Sequence, residues 1–146
     1  LNVITSLELE PDKMEVRNLH LQKKYREIEA HEVRYECSLM DDAEYAIIAF
    51  GSAARISKKA IEIARKRGIK VGLFRPITLW PFPMHEIADL SRKVKGILVM
   101  EINAGQMVKD VCLAVEGRIP VKQYGRLGGI VPDPDEIIEA LKGVQS

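Results

Sequence analysis

Three short apolar runs set the architecture of this chain: "YAIIAFG" (Tyr45 to Gly51), "KVGLFR" (Lys70 to Arg75) and "GILVMEI" (Gly96 to Ile102). The first and third are continuous rather than alternating, as a strand covered on both faces must be. A helical pattern follows each run. Between Ser52 and Arg67, Ile56, Ala60, Ile63 and Ala64 share one face, and Glu62 and Lys66 are spaced to pair at i,i+4 on the other. A weaker helix carries Ile87 and Leu90 inward, and another runs from about Gln106 to Glu116. "PVKQY" (Pro120 to Tyr124) reads as a further strand. The closing helix has Asp133 as N-cap, Pro134 at its first position, Asp135 and Glu136 in its first turn and Gly143 past its end. Strand and helix alternate four times, which predicts a three-layer α/β sandwich around a mostly parallel sheet. "EVRYE" (Glu32 to Glu36) alternates as a short strand at the sheet edge would.

Ahead of that unit the character changes. Residues 1–44 carry 6 basic and 11 acidic side chains, whereas residues 45–146 carry 16 basic and 10 acidic. Residues 1–13 read as a linker, with Pro11 and Asp12 as turn chemistry. From Met14 to about Ala30 a helix is expected, its apolar stripe thinned to Leu19, Tyr25 and Ile28. Such a helix is too polar for a core and suits a strap across the surface of something else. The net charge of +1 points to neither nucleic acid nor membrane, and no apolar stretch approaches the roughly 20 residues that span a bilayer. Cys37 and Cys112 form no C-x-x-C pair, so reduced thiols and a cytoplasmic setting are the default. Much Lys, Glu and Arg with little Asn and Gln leans towards a thermophilic source.

In a parallel α/β sheet, ligands and partners meet the carboxyl ends of the strands. Three polar junctions are expected there. In "EINAGQM", Glu101 has acid–base chemistry available and Asn103 or Gln106 can steady an oxyanion, but no His or Lys lies close in sequence. The competing reading is structural: Asn103 bonds its own loop, Gly105 permits a tight turn, and Gln106 caps the next helix. In "GSAAR", Gly51 leads a turn in which Ser52 is placed to cap the helix. Its free N–H groups, with Arg55, Lys58 and Lys59, have the chemistry to hold an anion, although a solvated basic face is the better fit to a single glycine. In "YGRLGG", Arg126 precedes Gly128 and Gly129 and is able to clamp a carboxylate, a phosphate, backbone carbonyls or an acidic partner. Trp80, set among Pro76, Pro81 and Pro83, suits a domain edge or an interface. His20, His31 and His85 join no metal set, and no self-contained catalytic constellation is legible.

The ordered set "GSAAR", "RPITLWPFP", "EINAGQM", "YGRLGG", "VPDPDEI" resembles the C-terminal part of 2-oxoacid:ferredoxin oxidoreductase α chains over nearly the whole length. The branched-chain (2-oxoisovalerate) type is nearer than the 2-oxoglutarate type. Many relatives of the latter have a His after a Gly-Leu-Glu linker, where "SLELEP" places Leu9. The resemblance implies a transketolase C-terminal-like domain over residues 32–146, its sheet five-stranded with the first strand antiparallel. Residues 1–31 would then be a linker and connecting helix from a missing N-terminal domain. It implies an enzyme that oxidatively decarboxylates a 2-oxoacid on thiamine diphosphate with Mg, passes electrons through iron–sulfur clusters to ferredoxin, and releases an acyl-CoA. Neither the thiamine signature nor cluster cysteines are present, so no cofactor is expected on this chain alone. The implied partners are the N-terminal domain, a β subunit, an iron–sulfur subunit and, indirectly, ferredoxin; self-association into a homo-oligomer is left open. The alternatives are a module binding a phosphate-bearing ligand such as coenzyme A, and a free-standing scaffold.

Overall fold

The computed structural model describes residues 7–145. Its elements run α1 (Pro11–His31), β1 (Tyr35–Ser38), β2 (Tyr45–Ile48), α2 (Gly51–Lys66), β3 (Val71–Pro76), α3 (Met84–Leu90), β4 (Gly96–Glu101), α4 (Met107–Val115), β5 (Val121–Gly125) and α5 (Pro134–Gln145). The sheet order is β1-β3-β2-β4-β5. The last four of these are mutually parallel, and β1 pairs antiparallel with β3 at the edge. This is the three-layer, mostly parallel sandwich that the alternation of strands and helices predicts, with the five strands and antiparallel edge that the resemblance implies.

Strand periodicity divides the core in two. On β4, Leu98 and Met100 face α2 and α5, in a cluster with Ile47, Leu73, Ile61 and Ile138. Ile97 and Val99 point the opposite way, towards α3 and α4, with Ile48, Phe74, Ile87 and Val111. All six residues of β4 are buried, so this interior strand has no solvent face. Each fully buried Ile or Leu stabilises the fold by roughly 1.5–3 kcal/mol relative to exposure. α2 closes as the sequence predicts. The Gly68 N–H donates to the Arg65 carbonyl and the Ile69 N–H to the Ala64 carbonyl, and Ile69 packs back on the core.

Several boundaries differ from the sequence reading. Helix α1 starts at Pro11, not Met14: Pro11 fills its first position, where a missing N–H costs nothing. Residues 1–6 of the expected linker lie outside the described residues. α1 buries no residue, in keeping with its polarity, and meets the sandwich where Tyr25 packs edge-on against Trp80 at 5.7 Å. The edge strand begins at Tyr35 rather than Glu32. Arg34 is held off the ladder, its N–H donating to Thr78 Oγ1 and its carbonyl accepting from Ile77 and Thr78, so register with β3 starts opposite Pro76. Glu62 pairs with Lys59, three residues before it, instead of Lys66. Among the described residues, no helix is long and apolar enough to cross a membrane.

Candidate functional site

Because β2, β4 and β5 are parallel neighbours, the three polar junctions emerge at one edge of the sheet. The middle one is the most constrained. Glu101 ends β4 and is fully buried. One carboxylate oxygen, Oε2, accepts the N–H of Gln106 at 3.1 Å, the N–H of Met107 at 2.8 Å and Asn103 Nδ2 at 3.1 Å. The other, Oε1, accepts the N–H of Val108 at 3.1 Å. The carboxylate therefore satisfies three of the four N–H groups that an α-helix leaves open, and it brings negative charge to the positive end of α4. Asn103 Oδ1 accepts the Gly105 N–H at 2.7 Å, the side-chain turn expected of it, and Gly105 takes a left-handed φ of 99°. Gln106 does not cap the helix. It stands at the N-cap position, but its side chain makes no cap bond and its own N–H is one of those that Glu101 accepts.

Helix α2 opens differently. It begins at Gly51 (φ 56°), with Phe50 at the N-cap and no side-chain acceptor; Ser52 is exposed and does not cap it. Ser52 is the second helical residue, two positions beyond the N-cap from which a side chain reaches the free N–H groups. Of the cations near this turn, Lys58 pairs with Glu36 at 3.1 Å and Lys59 with Glu62 at 3.2 Å, while Arg55 lies exposed.

At the third junction, Glu136 organises the loop after β5. Its carboxylate accepts Tyr124 Oη at 2.9 Å, Arg126 Nη1 at 2.8 Å and the Asp133 N–H at 3.0 Å. Asp133 Oδ1 in turn accepts the Asp135 N–H at 2.8 Å, completing a reciprocal cap in which Asp133 and Glu136 each satisfy a backbone group near the other. The bond donated by the Asp133 N–H and that from Tyr124 hold the Glu136 carboxyl below its usual range. Burial, reinforced by Glu136, pushes the Tyr124 phenol up. Arg126 is thus engaged by a carboxylate of its own chain. Gly128 and Gly129 both take left-handed φ at the exposed tip of this loop. Glu136 as an organising residue was open to detection, since it follows Asp133 by the three positions of a capping box. The closure by Tyr124 had no local signal.

Gly125 ties the second and third junctions together. A Cβ there would lie 2.5 Å from the Asn103 carbonyl oxygen and 2.7 Å from that of Glu101. Beside Glu101 a small cleft of about 200 Å³ is lined by Phe50, Leu79, Phe82, Met107 and Asp110. The residues present do not fit a diphosphate at α4, because the Glu101 carboxylate already fills the N–H groups that would receive it. Nor, among the described residues, do three His, Cys, Asp or Glu side chains gather as metal ligands.

A mostly parallel sheet flanked by helices on both faces, with one antiparallel edge strand, defines a three-layer α/β domain. The family model described as pyruvate:ferredoxin oxidoreductase core domain II matches residues 43–137, and the chain belongs to that family. It is 41% identical to ketoisovalerate oxidoreductase subunit VorB of Methanothermobacter thermautotrophicus, over 98% of this chain and 40% of the relative. It is 33% identical to 2-oxoglutarate synthase subunit KorA of Methanothermobacter marburgensis, over 72% of this chain and 28% of the relative. The chain therefore spans well under half the length of these curated relatives. In fold it is similar to 2-oxoglutarate:ferredoxin oxidoreductase from Magnetococcus marinus, solved with 2-oxoglutarate, coenzyme A and succinyl-CoA bound. That match has a TM-score of 0.75 at 20% identity and covers 95% of this chain and 24% of that one. A split-gene transketolase, an inactive β4 tetramer, matches with a TM-score of 0.66 at 17% identity over 76% of this chain and 41% of that one.

Proposed function

We propose that this chain is the C-terminal assembly domain of the α subunit of a thiamine-diphosphate-dependent 2-oxoacid:ferredoxin oxidoreductase of the branched-chain type. Residues 32–146 form the domain, and residues 1–31 connect it to an N-terminal domain. The observation that carries the reading is the likeness to the ketoisovalerate oxidoreductase VorB subunits of two Methanothermobacter species, which extends over 98% of this chain. The VorA subunits of Pyrococcus match over 47%. The likeness to the 2-oxoglutarate synthase subunits covers 72% or less. The geometry supports an assembling rather than a reacting role. Glu101, Asn103, Glu136 and Arg126 spend their hydrogen bonds on the chain itself, which stiffens the strand-to-helix junctions into a fixed surface. Thiamine diphosphate, Mg, the iron–sulfur clusters and coenzyme A then belong to surfaces completed by the N-terminal domain, the β subunit and the iron–sulfur subunit.

The competing reading, a module for a phosphate-bearing ligand such as coenzyme A, relies on Arg55, Lys58, Lys59 and Arg126. Three of those four are paired with carboxylates of the chain. The test is coenzyme A-dependent reduction of ferredoxin by the purified complex containing this chain, with 2-oxoisovalerate and 2-oxoglutarate in parallel. A kcat/KM at least about tenfold higher for 2-oxoisovalerate is expected, the range that a few methyl groups in an apolar pocket can discriminate. Equal or reversed preference would overturn the branched-chain assignment. Activity retained after the chain is removed from the complex would overturn the assembly role.

A further inference from the structure

The sheet is unevenly covered on the side of α3 and α4. Helix α3 packs against α4 and leaves a groove of about 440 Å³ between itself and the edge strand β1. That volume is within the range of ligand-holding clefts. The floor is apolar and aromatic. The Tyr35 ring stacks on Phe74 at 4.9 Å and 10°, with Leu90 and Cys37 beside it. Tyr35 remains 43% exposed, so the ring face not resting on Phe74 looks into solvent. Asp41, Glu86 and Asp89 stand at the rim against a single cation, Lys93. Asp89 is bound by Arg92, but no ion pair of Asp41 or Glu86 occurs among the described residues. An aromatic floor under a carboxylate rim attracts a cation carried on an apolar stem, through the ring quadrupole below and charge above.

We propose that this groove docks a basic amphipathic segment of a partner protein, with an Arg or Lys side chain laid over Tyr35 and its head between Asp41 and Glu86. The groove lies on the α3 side of β1, apart from the carboxyl-edge junctions, so the proposal does not depend on the oxidoreductase assignment. Lys93 selects against a second cation at the far end, and an adjoining apolar side chain of the same segment fills the space above Leu90 and Cys37.

Cys37 supplies the readout, since its thiol is exposed and lines the groove. In the full chain carrying Cys112→Ser, the rate of Cys37 alkylation by iodoacetamide is followed with and without three probes. These are a twelve-residue peptide of alternating Leu and Arg, its Leu and Glu counterpart, and free arginine amide. The Leu and Arg peptide should slow alkylation by about tenfold at a concentration about ten times its Kd. The Leu and Glu peptide should not slow it. The double variant Asp41→Asn, Glu86→Gln should lose the protection, and Lys93→Gln should strengthen it, with the fold of each checked by circular dichroism. Protection by the acidic peptide, protection that survives in the double variant, or no protection by the basic peptide overturns the proposal. Arginine amide protecting as well as the peptide would overturn the assignment to a polypeptide and leave a small-cation site.

Discussion

The Glu101 carboxylate accepts the Met107 N–H at 2.8 Å: the last side chain of strand β4 is the cap of the helix that follows it. Strand and helix are thereby locked at a fixed angle through a group with no solvent access. Glu101→Ala leaves the N–H groups of Gln106, Met107 and Val108 without their acceptor. A buried donor without a partner costs about 1–3 kcal/mol, so a loss of about 3 kcal/mol or more is expected in urea unfolding. Glu101→Gln keeps one acceptor but turns an NH₂ group towards backbone donors, and should cost about 2 kcal/mol. An Ala variant within 0.5 kcal/mol of the parent, roughly the size of an ordinary surface change, would refute the buried cap.

Two glycines at the same edge should respond differently to alanine. At Gly125 the added methyl would lie 2.5 Å and 2.7 Å from two carbonyl oxygens of the β4 junction, so β5 must move away from β4. That overpacking should cost about 1–3 kcal/mol. At Gly51 nothing lies within 4 Å, and only the φ of 56° penalises a side chain, by about 1–2 kcal/mol. Heteronuclear NMR distinguishes them. Gly125→Ala should shift resonances across β4, the 102–106 loop and the start of α4. Gly51→Ala should shift only its neighbours. Confined shifts in both would show that β5 is not held against the loop.

The apolar runs were legible because a strand buried on both faces has no choice but to be apolar throughout, and the caps around Asp133, Pro134 and Gly68 because their rules act within four residues. What escaped the sequence was set across space. Helix capping rules look to the residue at the helix start, and so favour Ser52 and Gln106. The acceptor used at α4 is Glu101, six positions before Met107 and reached through an Asn103 turn. The late start of β1 depends on Thr78, 44 residues from Arg34. Of the candidate residues, the shared edge of Gly51, Glu101, Asn103 and Arg126 followed from the strand order. The capture of Arg126 by Glu136 needed the fold of α5 back onto β5.

The loop after β5 should be acid-labile at one carboxylate. Glu136 has its folded pKa lowered from 4.5, so its contribution is complete above that value and is lost as pH falls through the lower folded one. Tyr124 is raised from 10.0, so its contribution is complete below that value and is lost as pH rises beyond it. The Gly128 and Gly129 amide resonances should therefore hold steady between these limits and move below pH 4.5. Glu136→Gln should abolish the acid transition at those two amides. A transition that persists in this variant would assign the lability to another acid.

The strap helix α1 should be the part of the molecule most sensitive to a single ring. No residue of α1 is buried, and Tyr25 meets Trp80 edge to face at 5.7 Å. Such a pair contributes about 0.5–1.5 kcal/mol beyond its buried area. That is small for the sandwich but large for a helix in which Val16 and Leu19 point into solvent and Met14, Leu21 and Ile28 are only half-buried. Trp80 is the chain's single tryptophan, so the emission comes from the ring that Tyr25 touches. Tyr25→Ala should move Trp80 emission to the red and raise amide exchange along α1 by roughly fivefold, the factor for about 1 kcal/mol. The unfolding midpoint of the sandwich should stay in place, because the ring contact lies outside both core clusters. Val16→Ala, on a solvent face, should change neither reading. If Tyr25→Ala left both the emission and the exchange of α1 unaltered, the helix would have to be anchored by something other than this ring pair. The seat of the strap on the proline-bounded loop would then need to be sought elsewhere along its length.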